Sequence, residues 1–365
     1  MSDEPPLLPD YSGACVCNVV PSLLGGFTEA PQWFPPAAFS ARQIVLLVLD
    51  GLGWQQMVER RSITPSLHAL TGGPISTVVP TTTAVAMTSL TTGLSPGQHG
   101  VIGYRMAIEG EVLNVLRWST PRGDARKTIR PSDIQKAAPF QGERPPVVTR
   151  ADFAGGGFSA AHLDGVRFRG YRTAATLVHE VRILVGAGEP FVFAYYDGLD
   201  KVSHEYGLAD HFDAEIAWCD RLVGEIRDLL PPGAVLVVTA DHGQVDTGEN
   251  VIGLPPEVLE HVAFQSGEAR MRWLHARPGR QGALLDAARA ALSPHAWVRS
   301  KGEIIDEQWF GPTITASASA RLGDVVLAAK GTIAFDDPAD TGPYHLIGRH
   351  GSLTPAEVLV PLLVS

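Results

Sequence analysis

The regular part of the chain opens with Gln43-Ile44-Val45-Leu46-Leu47-Val48-Leu49, a run with one polar position in seven. An unbroken stretch of branched residues predicts a strand buried on both faces. It gives way to Asp50-Gly51-Leu52-Gly53, which predicts a turn. The pattern recurs at residues 190–196 and 234–239. The first of these runs leads into Asp197 and Asp200, the second into Asp241-His242. Between them Phe212, Ile216, Cys219, Val223, Ile226 and Leu230 step by 4, 3, 4, 3 and 4. That is the period of an amphipathic helix, stopped by Pro231-Pro232-Gly233. Strand, helix, strand in this order predicts a parallel sheet with crossovers. Such sheets bind ligands beyond the carboxyl ends of their strands, and the polar residues gather at those ends.

The expected fold class is therefore α/β: a largely parallel sheet flanked by helices, with a smaller inserted cap. Residues 105–170 are rich in Arg, Pro and Gly and include Gly155-Gly156-Gly157. They predict loops and short elements crossing the top of the sheet. Residues 249–341 predict a strand over 269–276, a helix over 282–292 and a strand over 321–329. This is an insert of roughly ninety residues, the size of a small domain. The division expected is an N-terminal segment, 1–40, a core, 41–248 and 342–365, and the insert, 249–341. No internal repeat of fixed period is visible.

Composition narrows the function classes. A length of 365 residues fits one large domain, or a core carrying an insert. Hydrophobic residues at 45% and charged residues at 19% exclude a disordered chain. The net charge of −10 argues against a nucleic-acid polymer as partner, because such binding needs a basic surface. It leaves room for a small anionic substrate, since a bound metal can supply local positive charge. Three cysteines, Cys15, Cys17 and Cys219, build no disulfide framework and fit a reducing compartment. Cys15 and Cys17 are two packing cysteines or half of a zinc site. The acidic, Pro-rich N-terminus lacks the regions of a secretory signal, and no apolar run approaches a membrane span. A cytoplasmic protein without a membrane partner is the expectation.

Several constellations carry chemistry. Asp50 and the Asp241-His242 pair each follow a buried strand, and Asp oxygen with His nitrogen suits zinc or a similar ion. Asp200 and His204 stand four apart, so on a helical turn they face the same way. His350, between Gly348 and a terminal apolar strand, offers a further nitrogen to that pair. Thr83 follows Pro80-Thr81-Thr82 and opens a predicted helix that ends at Gly93. A Thr there can cap the helix. The same position favours a bound phosphate, and a divalent metal would turn the hydroxyl into a nucleophile.

Taken in order, these segments resemble the alkaline phosphatase superfamily, and within it the type I phosphodiesterase/nucleotide pyrophosphatase family. The matching pieces are Asp50-Gly51, Pro80-Thr81-Thr82-Thr83 with Ser89-Leu90-Thr91-Thr92-Gly93, and Pro96-Gly97-Gln98-His99-Gly100. Further on come Asp200-Lys201-Val202-Ser203-His204 with Gly207, Thr239-Ala240-Asp241-His242-Gly243, and His350-Gly351. The resemblance runs from about Ile44 to the C-terminus and leaves the insert unmatched.

The resemblance implies two divalent ions, zinc in the family's usual form. One would be held by Asp200, His204 and His350. The other would be held by Asp50, Asp241 and His242, with Thr83 beside it as metal ligand and nucleophile. It implies hydrolysis of a small phosphorylated substrate, a phosphodiester or nucleotide pyrophosphate, through a phosphothreonine-type intermediate. A phosphonoacetate-hydrolase-like or phosphomonoesterase activity uses a similar set, and a non-catalytic binding protein of the same fold is the alternative of another class. His99, in a Pro/Gly turn, is expected to be structural. One departure stands out. The family usually follows the nucleophile with Phe-Pro-Asn, and here Ala84-Val85-Ala86 takes those places, so no amide at 86 can hold a phosphoryl oxygen. Tyr104, Trp118 and Tyr196 are candidates to stack on a base, or core aromatics.

Overall fold

A computed structural model describes residues 4–25, 29–340 and 346–365. The end of the expected insert at 341 and the first three residues of the N-terminal segment lie outside them. The elements used below are β1 (Gln43–Leu49), β2 (Thr71–Ser76), α1 (Thr83–Thr92), β3 (Pro146–Arg150), β4 (Arg167–Tyr171), β5 (Phe191–Tyr196), α2 (Gly198–Tyr206) and α3 (Asp210–Asp228). They continue with β6 (Ala234–Thr239), β7 (Val262–Gly267), β8 (Met271–Ala276), α4 (Gln281–Leu292), β9 (Ala296–Ser300), β10 (Val325–Ala329) and β11 (Leu359–Val364).

The main sheet has seven strands in the order β2-β11-β6-β1-β5-β3-β4. Strands β6, β1, β5, β3 and β4 run parallel, and β11 alone is antiparallel to its neighbours β6 and β2. The fold is mixed α/β with a mostly parallel central sheet between helices, as the apolar runs require. Every residue of β1 is buried, because helices cover both faces at the centre of such a sheet. The helix predicted from the 3.6-residue period is α3, and its apolar stripe Phe212, Ile216, Cys219, Val223 and Ile226 is buried.

Residues 105–170 differ from expectation. They contribute β3 and β4 to the main sheet, besides four short strands between Arg105 and Asp124. The sequence hides β4 because it is an edge strand, Arg167-Phe168-Arg169-Gly170-Tyr171. Charged residues and a glycine are tolerated there and protect the edge from further pairing. β3 is only five residues long and begins with Pro146.

Between 262 and 329 a second, antiparallel sheet forms in the order β7-β8-β10-β9. Its strands alternate in allegiance. Met271, Trp273, Val326 and Ala328 join the main hydrophobic core, while Leu274, Val325 and Leu327 pack with Leu284 and Ala288 of α4 in a smaller core. The strand expected over 321–329 starts only at Val325, because Ala316–Arg321 is helical. This unit is bolted to the main body by a bidentate ion pair. Arg270 Nε and Nη2 each donate to a Glu357 oxygen at 2.8 Å, and both side chains are fully buried. Glu357 Oε1 also accepts from the Ser352 amide at 2.9 Å.

Cys15 and Cys17 are buried in the main core, and all three cysteines are free. Among the described residues, the groups able to hold a metal contain no cysteine. No helix among them is long and apolar enough to cross a membrane.

Candidate active site

The carboxyl ends of β5, β1 and β6 lie side by side, since β1 pairs in parallel with both neighbours. Asp50 follows β1, Asp200 and His204 lie on α2 just after β5, and Asp241-His242 follow β6. His350 arrives on the loop before β11, the other neighbour of β6. Residues as far apart in the chain as Asp200 and His350 are thus brought within 3.7 Å of each other. Gly51 lets this happen: its φ of +78° favours glycine, and a Cβ there would meet Asp200 at 3.2 Å and the Gln244 amide at 2.7 Å.

Two groups of donor atoms emerge, Asp50–Asp241–His242 and Asp200–His242–His350, each with all its atoms within 4.8 Å of one another. His242 is common to both. Its Nε2 lies 3.4 Å from Asp50 Oδ1 and 3.5 Å from Asp241 Oδ2. Asp200 Oδ1 lies 3.3 Å from His204 Nε2 and 3.7 Å from His350 Nε2. The rings of His242 and His350 stack with centroids 3.6 Å apart.

Each imidazole is aimed from behind. Nδ1 of His204 faces the Gly348 carbonyl at 2.7 Å, that of His350 faces Thr81 at 2.8 Å, and that of His242 faces Gly243 at 3.1 Å. A protonated Nδ1 bonded to a carbonyl leaves the Nε2 lone pair pointing inward, the arrangement that metal-binding histidines use. Burial favours the neutral ring, lowering His242 to about 4 and, with help from His242, His350 to about 3.

The carboxylates are under opposite stress. Burial and then the charges of Asp241 and Asp200 push the Asp50 carboxyl well above its ordinary range. Burial and then Asp200 raise Asp241 to about 6. Asp50 Oδ1 and Asp241 Oδ2 have no hydrogen-bond partner. Buried oxygens of this kind are costly unless paired or coordinated. A divalent cation would supply the missing partner and remove the mutual repulsion. The residues therefore fit such an ion, and a mixed carboxylate–imidazole set suits zinc.

Thr83 is the first residue of α1, and Thr82 is its N-cap with φ −141°. No side chain caps this helix. Thr83 Oγ1 instead faces the site, 3.2 Å from His242 Nε2. Its neighbours are occupied elsewhere: Thr81 Oγ1 donates to Ser352 and accepts from Gly351. The first N–H groups of an α-helix have no intrahelical acceptor, so α1 presents free donors beside Thr83.

Several contributors escaped the sequence reading. The Tyr195 hydroxyl donates to Asp50 Oδ2, and Gln244 Nε2 donates to Asp200 Oδ1 at 2.6 Å. Thr77 Oγ1 donates to the Asp241 carbonyl. The signal for Tyr195 was strand alternation, which sends adjacent side chains to opposite faces. Tyr196 faces α3 and bonds Glu215 at 2.7 Å. Trp118 is fully buried with its indole N–H on Ile129, and Tyr104 meets Asn114. None of these three lines the cavity beside Thr83. Ala86 is a core residue with no exposed surface. His99 is spent on Ser89 and the Val101 amide.

The family described as type I phosphodiesterase/nucleotide pyrophosphatase matches residues 44–353. The chain belongs to this family. The match spans both candidate metal groups and Thr83, and extends across the second sheet. Among solved structures, murine ectonucleotide pyrophosphatase/phosphodiesterase 5 superposes with a TM-score of 0.67 at 18% identity, over 88% of this chain and 87% of that one. The human counterpart gives 0.67 at 16%, over 88% and 87%. Phosphonoacetate hydrolase from Sinorhizobium meliloti gives 0.66 at 17%, over 89% and 90%. At such identities the likeness establishes a shared fold with these phosphodiesterase-family and hydrolase relatives. No curated protein matches the sequence. Family and neighbours together identify a phosphoric ester hydrolase.

Proposed function

We propose that this protein is a two-metal phosphodiesterase that works through a covalent phosphothreonine on Thr83. The observation that carries the reading is the position of Thr83 Oγ1. It heads a helix and sits beside His242, yet caps nothing. Asp200, His204 and His350 would hold one divalent ion, and Asp50, Asp241 and His242 the other. Bound there, two zinc-like ions supply the Lewis acidity and positive charge that favour an attacking alkoxide and a departing oxygen.

The chain's own residues do the rest. The amides at the start of α1 hold the non-bridging phosphoryl oxygens, the work that an Asn at 86 cannot do here. The Thr83 hydroxyl gives up its proton as Oγ attacks phosphorus, the bond to the leaving oxygen breaks, that oxygen takes up a proton, and the threonine becomes a phosphoester. Tyr195 and Gln244 fix Asp50 and Asp200 in place. Water, entering on the side of Asp200, His204 and His350, then adds to phosphorus. The Thr83–phosphorus bond breaks and the threonine oxygen regains a proton. Among the neighbours, an inactive threonine-to-alanine variant of the murine protein is described in complex with AMP, which supports a threonine as the reacting group.

The test is elemental analysis of protein purified without chelator, followed by an aryl phosphodiester assay. About two ions per chain, with activity lost on chelation and restored by zinc or manganese, is the expected result. Less than about one ion per chain, with no gain on adding metal, would overturn the bimetallic reading. A phosphomonoester turned over at least about tenfold faster by kcat/KM, ~1.4 kcal/mol in the barrier, would reassign the enzyme as a phosphatase.

A further inference from the structure

The hairpin between β7 and β8 carries a carboxyl into the main body. Gly267 makes the bend at φ +83°, where a Cβ would collide with the Met271 carbonyl. Glu268 and Met271 close the turn with paired backbone bonds of 3.0 and 3.2 Å. Arg270 in the same turn is pinned by Glu357, which fixes the place of Glu268. The Glu268 side chain is buried where the segments that carry Thr83 and His350 meet. There the Gly351 amide donates to Thr81 Oγ1 at 2.9 Å, and a Cβ on Gly351 would lie 2.7 Å from Glu268 Cγ. Burial raises the carboxyl to about 8, against the lowering effects of the Thr82 hydroxyl, Arg272 and the Tyr104 amide, while Asp340 adds to the rise. At pH 7 the group is mostly protonated, and its carbonyl oxygen can accept from Thr82.

Thr82 does not behave as its backbone allows. An N-cap threonine in extended conformation turns its oxygen back onto an amide of the first turn. Thr173, at φ −136° and ψ 160°, does so and accepts from the Thr176 amide at 3.4 Å. Ser300 and Thr315 likewise accept from the Glu303 amide at 3.3 Å and the Ala318 amide at 3.2 Å. Thr82 has nearly the angles of Thr173, −141° and 146°, yet its side chain caps nothing. Thr354 shows the same effect of a carboxyl elsewhere in the chain. Its hydroxyl donates to Glu357 Oε2 at 2.6 Å, and the helix it heads, Pro355–Val358, has no side-chain cap. In α1 the Thr82 carbonyl takes the Val85 and Ala86 amides at 3.0 and 2.9 Å. The Thr83 and Ala84 amides, the first two of the helix, are the ones left for a ligand.

We propose that Glu268 is a positioning residue for the reaction at Thr83: by holding the Thr82 hydroxyl away from α1, it keeps the first-turn amides open to the phosphoryl oxygens. This rests on the hydrolase reading above and assigns the residue that keeps its anion-binding amides free. Glu268 acts through Thr82. With the acceptor gone, the hydroxyl falls back to the ordinary cap, and one donor to the developing charge is lost.

The test uses metal-loaded full-length protein and measures kcat and KM on an aryl phosphodiester, with metal content and melting temperature on the same samples. Glu268→Met removes the acceptor. Its kcat should fall by about 100-fold with KM nearly unchanged, the usual worth of one donor to a developing oxyanion, and its metal content should match wild type. Glu268→Gln keeps a carbonyl oxygen in the same place and should keep most of the wild-type kcat. The deciding variant combines Glu268→Met with Thr82→Val. Without a hydroxyl no side-chain cap can form, so kcat should recover by about tenfold or more, whereas a purely structural carboxyl predicts two losses that add. A crystal structure of Glu268→Met should show Thr82 Oγ1 turned onto the Ala84 or Val85 amide. Where Glu268→Met does not fold, Glu268→Ala, which adds no bulk, takes its place in the same comparison. If the acceptor-less variant keeps its kcat, if Thr82→Val fails to restore it, or if Thr82 keeps its orientation in the crystal, the inference fails while the hydrolase reading stands. If the wild-type protein hydrolyses no ester, the hydrolase reading fails, and the orientation of Thr82 in the variant still decides whether Glu268 holds the cap open.

Discussion

Replacing Thr83 by alanine separates a structural threonine from a chemical one. Two effects differ in size. A threonine acting as N-cap contributes ~1 kcal/mol to stability. Here that contribution is absent, because Thr82 holds the N-cap position and Thr83 Oγ1 faces His242 Nε2 at 3.2 Å. The variant loses one neutral hydrogen bond, worth roughly 1 kcal/mol or less, and alanine recovers part of it through its helix propensity. The melting temperature should therefore move by only a few degrees. Metal content should stay near wild type, since all six carboxylate and imidazole side chains of the two groups are untouched. Turnover should behave quite differently. Without the hydroxyl no covalent phosphoester forms, and kcat should fall by several orders of magnitude. Thr83→Ser keeps an attacking oxygen and should retain measurable activity. Thr81→Ala and Thr82→Ala should keep most of theirs. The assay is kcat on an aryl diester with metal analysis and thermal melting on the same samples. If Thr83→Ala folds, holds its metal and retains more than about a tenth of wild-type kcat, a barrier change under ~1.4 kcal/mol, the covalent mechanism is wrong.

Three further outcomes are expected. The proposed ligand sets put His242 on one ion and His204 on the other, so His242→Ala and His204→Ala should each leave about one ion tightly held, as read by competition with a chromophoric chelator. Glu268 is buried, and burial first of all raises its carboxyl from the ordinary 4.5 to about 8, against the lowering effect of Thr82. A raised carboxyl loses stability as pH climbs from the unfolded value through the folded one, so Glu268→Gln should match wild type near pH 4, gain roughly 3 kcal/mol by pH 7 and plateau above about pH 8; urea unfolding that shows a pH-independent difference would refute this. Arg270→Met leaves Glu357 charged, buried and unpaired and should cost ~3–5 kcal/mol, whereas adding Glu357→Leu should recover much of it. Equal loss in the single and double variants would show that the ion pair itself, and not the stranded charge, carries the stability.

The sequence by itself determined the frame and which polar residues stand at its corners. Unbroken apolar runs can only be buried on both faces, which made β1, β5 and β6 central strands of a covered sheet. The polar residues at their ends had then to meet at one edge. Asp50, Asp200, His204, Asp241 and His242 were legible for that reason, and the order of short motifs extended the list to Thr83 and His350. Local pattern carries this much because burial and period are properties of consecutive residues.

What needed the tertiary structure was everything set by contact between distant segments. β4 reads as a polar loop because an edge strand buries little, and pairing with β3 alone makes it a strand. Tyr195, rather than Tyr196, faces Asp50 because the pleat and the position of α3 assign their sides. The position of His242 between both groups depends on how far three neighbouring strands stand apart. The cavity beside Thr83 combines Met87 of α1 with Leu116, Phe153 and Phe158, none of which shares a periodic pattern. Basic side chains near it pair with Asp152 and Asp197 across different elements. Pairing of this kind is a matter of distance through space, and a chain read along its length carries no record of it.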